Sequence, residues 1–262
     1  MTSGSLVIVG TGIQLGRHIS QRAISEIQRA ETVFCMADAF TYRWAQCLNS
    51  DVRPLHIYYG DNKDRRQTYR EMETAILDQV YAGKDVCAIF YGHPGVFADV
   101  PHEVTRKLRE AGYQARMEPG ISAEDCLIAD LGLDPGRHGC QSFEATQFLV
   151  YDRQIDPTAL LILWQIGLTG DLSCRRFDTT PDKLRVMVNK LNRWYPLEQK
   201  IIIYQAPVLA IHHYQADIIT LDALPETQLQ EVSTLVIPPT NGLCPDLQAL
   251  QMLGYSEADL HS

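Results

Sequence analysis

The sequence predicts an α/β protein built as two successive units. Three observations carry that expectation. Strand-like apolar runs alternate with helix-like stretches along most of the 262 residues, the pattern of sheets covered by helices. Several of those runs end directly in loops containing glycine or proline, as at VGTG, YGHPG and YQAP. The texture then changes near Pro119 and Gly120, after which helices become fewer and polar linkers longer. The expected division is an N-terminal α/β domain over 1–119, a second α/β domain over 120–240, and a short terminal helix or tail over 241–262.

The elements follow in order. LVIVG (6–10) reads as a buried strand. Residues 18–29 place Ile19, Ala23, Ile24 and Ile27 at helical spacing, and TVFCM (32–36) reads as a second strand. Residues 68–81 predict an amphipathic helix with Met72, Ala75, Ile76 and Val80 on one face. VCAIFY (86–91) is a strand that runs into GHPG. A helix over 102–111 ends at Gly112, and QARMEPG gives a short strand and a turn. Ser122 reads as the N-cap of a helix over 122–132, with Asp125 three residues on. In the second half, ALLILWQ (159–165) is a buried strand and residues 181–194 a helix. KIIIYQAP (200–207) and STLVIPP (233–239) are strands stopped by prolines.

Composition excludes several classes. The chain is 45% hydrophobic and 21% charged with a net charge of −9. That is ordinary globular composition, and its acidity argues against a nucleic-acid partner. Seven cysteines, an odd number with no CxxC, read as reduced thiols rather than a disulfide framework or a zinc site. No other metal motif occurs. No basic region precedes the short N-terminal apolar stretch, so a signal peptide is not expected. The apolar run ALLILW (159–164) is far short of the roughly 20 residues of a membrane span. The expectation is a soluble, cytoplasmic protein without membrane contact.

Four segments stand out as chemistry-bearing, each also compatible with a plain turn or cap. Gly10, Gly12 and Gly16 form GxGxxxG after a strand, which misses the dinucleotide fingerprint by one residue. YGHPGVFAD (91–99) turns a strand end into a rigid loop. His93, preceding Pro94, is held extended, with backbone groups open to a ligand. PGISAED (119–125) is a second loop of this type. YYGDNKDRRQTY (58–69) reads as a polar loop carrying Tyr58, Tyr59, Arg65, Arg66 and Tyr69 just before a helix. Cations at a helix N-terminus oppose the macrodipole, so this placement points to a task beyond solvation.

Taken together and in order, VGTG, YGHPGVF, PGISAED, LLILWQ, YQAP and STLVIPP resemble the tetrapyrrole methylase superfamily over roughly residues 5–240. With YGHPGVF, PGISAED and the R-x-x-T-Y element from Arg65 to Tyr69, the chain more closely resembles the borosin peptide backbone α-N-methyltransferases. It departs from the porphyrinoid enzymes, which carry Gly-Asp after the first glycines and Gly-Asp-Pro in the second motif, where this chain reads GTGIQLG and YGHPG. The resemblance implies two α/β domains with S-adenosylmethionine in the cleft between them. It implies cofactor contacts from Tyr91, His93, Val96, Phe97, Ser122, Ala123, Gln165, Ala206, Ser233 and Thr234, and catalytic roles for Tyr59, Arg65 and Tyr69, with Tyr58 as the alternative to Tyr59. Fungal borosin enzymes carry their substrate as a C-terminal extension after a clasp. This chain ends at Ser262, soon after STLVIPP, so a separate precursor peptide is expected. The superfamily is generally dimeric, and a partner copy would close a long polar catalytic loop, so a homodimer is expected. The alternative enzyme is a porphyrinoid C-methyltransferase. An RNA ribose methyltransferase is disfavoured by the charge, and a catalytically dead scaffold by the complete Tyr/Arg set.

The chemistry fits those residue types. A peptide amide nitrogen is a poor nucleophile because its lone pair is delocalised into the carbonyl. It needs a permanent cation at the amide oxygen, which arginine supplies as a planar fork of donors. It also needs a base. A tyrosine has an ordinary pKa of about 10, and a neighbouring guanidinium is expected to lower it. Which of Tyr59 and Tyr69 is the base stays open at this level.

Overall fold

The structure is a computed structural model and describes residues 4–209 and 211–261. Strands β1 (Ser5–Gly10), β2 (Thr32–Met36), β3 (Val52–Pro54), β4 (Asp85–Phe90) and β5 (Gln114–Met117) form one sheet in the order β3-β2-β4-β1-β5. Every pairing in it is parallel. Helices α1 (Gln21–Arg29) and α2 (Ala39–Leu48) flank one face. Helices α3 (Arg65–Tyr81) and α4 (Asp99–Glu110) flank the other. The alternation of a strand divides β1 between them: Val7 and Val9 pack with Ala23, Ile27 and Cys87, while Leu6 and Ile8 pack with Met72, Ile76 and Val104. Burial on both faces explains why LVIVG is apolar throughout.

The second sheet contains β6 (Cys140–Glu144), β7 (Leu160–Trp164), β8 (Lys200–Gln205), β9 (Gln215–Thr220) and β10 (Thr234–Ile237), ordered β6-β7-β10-β8-β9. Only β6 and β7 pair in parallel; the other pairs are antiparallel. Helix α5 (Ala123–Leu131) follows β5 directly but packs on this sheet, its Leu127 buried among Leu160, Ile162, Tyr204 and Val236. The chain thus passes from one sheet to the other within residues 118–122. After the short α6 (Pro135–His138), helices α7 (Ala145–Val150) and α8 (Pro181–Leu191) cover the far face around Phe148, Leu161, Met187 and Leu235. Helix α9 (Leu247–Leu253) and a 3-10 turn (Glu257–His261) lie beyond β10.

The structure adds α2, β3, α6, β6, α7 and β9 to the elements expected from sequence. Each lacks a clean signal. Helix α2 buries only Thr41 and Ala45, α7 has six residues, and β9 is a largely exposed edge strand. The stretch ending at Tyr69 also differs from its expected loop. Helix α3 begins at Arg65, because the Asp64 carboxylate accepts the Arg66 N–H at 2.9 Å as N-cap and pairs with the Arg66 guanidinium at 2.7 Å. The cation at this helix start is thus offset locally.

The loops after β1, β4 and β5 meet through their glycines. Gly12 N donates to Gly92 O and Gly92 N to Gly12 O, both at 3.1 Å. A Cβ on Gly10 would drive into the Gly92 carbonyl oxygen and lie 2.8 Å from Pro94 Cδ. A Cβ on Gly120 would lie 2.8 Å from the same oxygen and 3.2 Å from Gly10 Cα. Both contacts are largely with backbone, which cannot swing aside as a side chain could. Gly10→Ala should therefore cost about 1–3 kcal/mol and lower Tm by roughly 3–10 °C. Differential scanning calorimetry checks this, and an unchanged Tm would show that the loops can separate freely.

Candidate active site

A cavity of about 500 Å3 opens where the carboxyl ends of β1, β2 and β4 face the ends of β7 and β8 and the start of β10. This is where open α/β sheets bind ligands. Twelve of the thirteen site residues named from sequence line it: Tyr59, Arg65, Tyr69, Tyr91, His93, Val96, Phe97, Ser122, Ala123, Gln165, Ala206 and Thr234. Ser233 stands behind the wall. Its Oγ accepts from Gln205 Nε2 at 3.0 Å and Gln230 N at 2.9 Å, and its carbonyl accepts from Ile166 N at 3.0 Å. It therefore shapes the turn that presents Gln165. Tyr58 packs in the first sheet's core, and its neighbour Tyr59 faces the cavity.

The three glycine-bearing segments serve the site in different ways. The first is no phosphate cradle. The N–H groups of Ile13 and Gln14 both donate to His18 Nδ1 at 3.2 Å, so they point into the loop rather than at a ligand. In the second, His93 is not open to a ligand through its carbonyl, which accepts from Val96 N at 3.2 Å. Its Nδ1 accepts from Gly95 N at 2.9 Å. This tight turn throws Val96 and Phe97 into the cavity. In the third, Ser122 and Asp125 form a reciprocal capping box, with Ser122 N donating to Asp125 Oδ2 at 2.6 Å and Asp125 N to Ser122 Oγ at 3.2 Å.

Two cavity residues other than glycine adopt left-handed backbone, Phe97 at φ 52° and Gln165 at φ 57°. That conformation costs a side-chain-bearing residue about 1–2 kcal/mol, and such strain gathers at functional sites. The Phe97 ring meets Trp164 at 5.7 Å between centroids. Trp164 Nε1 donates to Ser142 Oγ at 2.7 Å, and Glu124 lines the cavity. Burial, reinforced by the charge of Asp125, raises the Glu124 carboxyl above its ordinary range.

Arg65 and Tyr69 lie four residues apart on the first turn of α3 and so share one face. Among the described residues, no hydrogen bond or ion pair engages the Arg65 guanidinium, and it is the one permanent cation on the cavity wall. Tyr59 and Tyr69 are neighbours on the same wall, close enough for Tyr69 to act on the Tyr59 phenol. The expectation that Arg65 lowers the neighbouring phenol fails for Tyr59. Burial, with the neighbouring Tyr69, raises it well above the ordinary tyrosine range, and the opposing effect of Arg65 is smaller. Tyr91 is pushed up to about 12, again chiefly by burial. Tyr204, which donates to Asp130 Oδ2 at 2.7 Å, is likewise raised by burial and that bond.

Sequence reasoning missed Trp164, Phe177, Tyr204, Glu124 and Glu231 as cavity walls. Trp164 lay within a strand already recognised. Phe177 sits in the polar run DLSCRRFDTT, which has no periodicity to place it.

A two-sheet α/β fold with a cavity at converging strand ends and glycine-bearing loops defines a class of ligand-binding α/β proteins. The family model for Tetrapyrrole (Corrin/Porphyrin) Methylases matches residues 5–172, and the chain belongs to that family. A methyltransferase/ribosomally synthesized cyclic peptide gymnopeptides precursor of Gymnopus fusipes is 36% identical over 264 residues, covering 98% of this chain and 62% of that protein. The corresponding omphalotin A precursor of Omphalotus olearius is 36% identical over 258 residues, covering 96% and 61%. The chain thus spans about three fifths of the length of these curated relatives. Among solved structures, the uroporphyrin-III-C-methyltransferase of Thermus thermophilus superposes with a TM-score of 0.63 at 17% identity, over 90% of this chain and 92% of that one. A diphthine synthase gives 0.62 at 14%, over 91% of each. These two likenesses show the fold.

If the Gln165 backbone is held left-handed for the site and not for the fold, Gln165→Gly should leave Tm unchanged or raise it by up to roughly 3 °C. Thermal unfolding followed by circular dichroism checks this; a clear fall would mean that the side chain is structural.

Proposed function

We propose that this protein transfers a methyl group from S-adenosylmethionine to main-chain amide nitrogens of a peptide. The observation that carries the reading is the Arg65 guanidinium, unengaged by hydrogen bonds among the described residues, on the cavity wall beside the Tyr59–Tyr69 pair. An amine or thiolate acceptor would not need a fixed cation; an amide oxygen gathering negative charge does. The two relatives named above, each a methyltransferase and a ribosomally synthesized peptide precursor, support a peptide as the acceptor.

The cavity suits the cofactor. Its volume is that of a small-molecule site. Glu124 and Glu231 on its wall, against Arg65 alone, favour a ligand with net positive charge. Tyr91, His93, Val96, Phe97, Ser122, Ala123, Gln165, Ala206 and Thr234 would hold it, with Ser233 supporting the turn at Gln165. When bound it supplies a methyl group on a sulfonium sulfur. Arg65 then holds the amide oxygen through its planar fork. Tyr59, raised by burial, keeps its proton, which leaves the deprotonated oxygen of Tyr69 as the base that would take the amide proton as the methyl group is transferred, becoming a neutral phenol. Phe97, Trp164 and Phe177 give the cavity an apolar wall.

Single-turnover methylation of an apolar peptide offered in trans tests this. Arg65→Lys keeps the charge and loses the fork, and should slow the reaction about 100-fold. Tyr69→Phe should slow it at least as much, and Tyr59→Phe by about 10-fold. Calorimetry should find cofactor affinity within about twofold of wild type in all three, whereas Gln165→Gly weakens it. Tandem mass spectrometry must place the methyl groups on backbone fragments. Methylation of side chains alone, or of a porphyrinoid in place of the peptide, would sink the reading.

We also propose a homodimer. A floppy catalytic loop no longer argues for one, because Arg65 and Tyr69 stand on a helix. The support is instead the terminal segment, where α9 buries no residue and Leu247, Met252, Leu253 and Tyr255 are all more than half exposed. Light scattering at micromolar concentration should give twice the 29.6 kDa chain mass. Met252→Glu with Leu253→Glu should give the monomer; a monomeric wild type counts against the proposal.

A further inference from the structure

The segment over residues 170–180, between β7 and α8, belongs to the second sheet, yet it reaches the first turn of α3. Its shape is fixed internally. Asp171 Oδ1 accepts from Ser173 N at 3.0 Å and Ser173 Oγ at 2.6 Å, and its Oδ2 accepts from Arg175 N at 3.3 Å and Arg176 N at 3.1 Å. Thr179 Oγ1 donates to Thr169 O at 2.8 Å and closes the base. Cys174, left-handed at φ 57°, turns its carbonyl toward the helix and accepts from Arg65 N at 3.0 Å. Arg176 and Asp178 pair with each other at 2.9 Å, and Phe177 between them reaches the cavity wall. Its ring lies under the Arg65 guanidinium, 4.9 Å from Cζ to the ring centroid, and 6.5 Å from the Tyr59 ring.

We propose that Phe177 is a positioning residue that sets the plane of the Arg65 guanidinium, and that the segment over 170–180 thereby completes the Tyr/Arg cluster from the opposite sheet. The proposal rests on the reading of the cavity given above. Its physical basis is the difference between holding a guanidinium by its edge and by its face. Arg66, one residue on, is held by its edge: Asp64 accepts from its Nε and Nη2 at 2.7–3.1 Å, which occupies the donors and offsets the charge. A carboxylate in the place of Phe177 would do the same to Arg65. An aromatic ring attracts the cation through its π face and fixes the plane while leaving the in-plane N–H fork open to a carbonyl oxygen. The main-chain bond from Arg65 N to Cys174 O keeps ring and helix in register.

Two measurements decide it. In protein labelled with 15N-arginine, the Arg65 Nε–Hε signal, assigned by its loss in Arg65→Lys, should be displaced upfield by the ring current. Phe177→Leu should return it to the ordinary arginine position, and Phe177→Tyr should keep it displaced. In single-turnover methylation, Phe177→Leu should be about 10-fold slower than wild type with cofactor affinity within about twofold, and Phe177→Tyr should restore the rate. An Arg65 signal that does not move in Phe177→Leu overturns the proposal. So do equal losses of rate and cofactor affinity in the leucine and tyrosine variants, which would make Phe177 a wall of the cofactor site only. If wild type shows the displaced signal but methylates no peptide, the functional reading fails while the assignment of Phe177 stands.

Discussion

The cavity depends on one contact: the backbones of Gly10, Gly92 and Gly120 touch with no side chain between them. These residues sit at the end of β1, just after β4 and just after β5. Their contact draws three loops of one parallel sheet together and fixes where the next residues point. Tyr91 and His93 leave from one side of the junction and Ser122 from another. The Gly12–Gly92 pair of hydrogen bonds locks two of the loops in register. The contact also sets where α5 starts, and α5 carries the chain into the second sheet through Leu127. One backbone constraint therefore shapes half of the cavity and orients the unit that supplies the other half.

The two sheets meet at unlike seams. On the glycine side the bridging contacts are a hydrogen bond from Gln14 Nε2 to Pro207 O at 3.2 Å and the Phe97–Trp164 ring contact, with no cation among them. On the Tyr/Arg side they are aromatic and cationic, with Phe177 against Arg65 and Tyr59. The latter seam is also where burial holds Tyr59 protonated. The raised phenol follows from its burial between two folded units, where the charged form loses hydration. In that setting a guanidinium with open donors has far greater electrostatic reach than it would in bulk water.

Much of this was legible in sequence because strand ends and glycine-bearing loops announce themselves. VGTG, YGHPG and PGISA all fell on the cavity side of the sheet, and the Ser122–Asp125 cap was readable from residue types alone. What was not legible has physical reasons. Arg65 read as loop because the helical pattern begins later, at Thr68; only the Asp64 cap extends the helix back to Arg65. The sign of the Tyr59 shift depends on burial, which no local pattern records. Phe177 lies more than a hundred residues from Arg65 in a run without periodicity, so their stacking exists only once both sheets are formed. The edge strand β9 exposes most of its residues and lacks the continuous apolar run that marks buried strands.

The division of labour between the two seams bears on how one fold can serve unlike acceptors. Structures that superpose on this chain at 14–17% identity share its fold, and shared fold alone does not fix chemistry. The glycine junction acts through backbone, which tolerates wide change in the surrounding side chains while keeping its geometry. The acceptor side is built differently. It consists of one helical turn bearing Arg65 and Tyr69, the preceding Tyr59, and a self-knotted segment bearing Phe177. None of these residues belongs to a buried core position at a strand centre, so their replacement would leave both sheets standing. On the proposed reading, the cofactor is held where the fold is least free to vary, and the acceptor where a few side chains can be exchanged without refolding the protein.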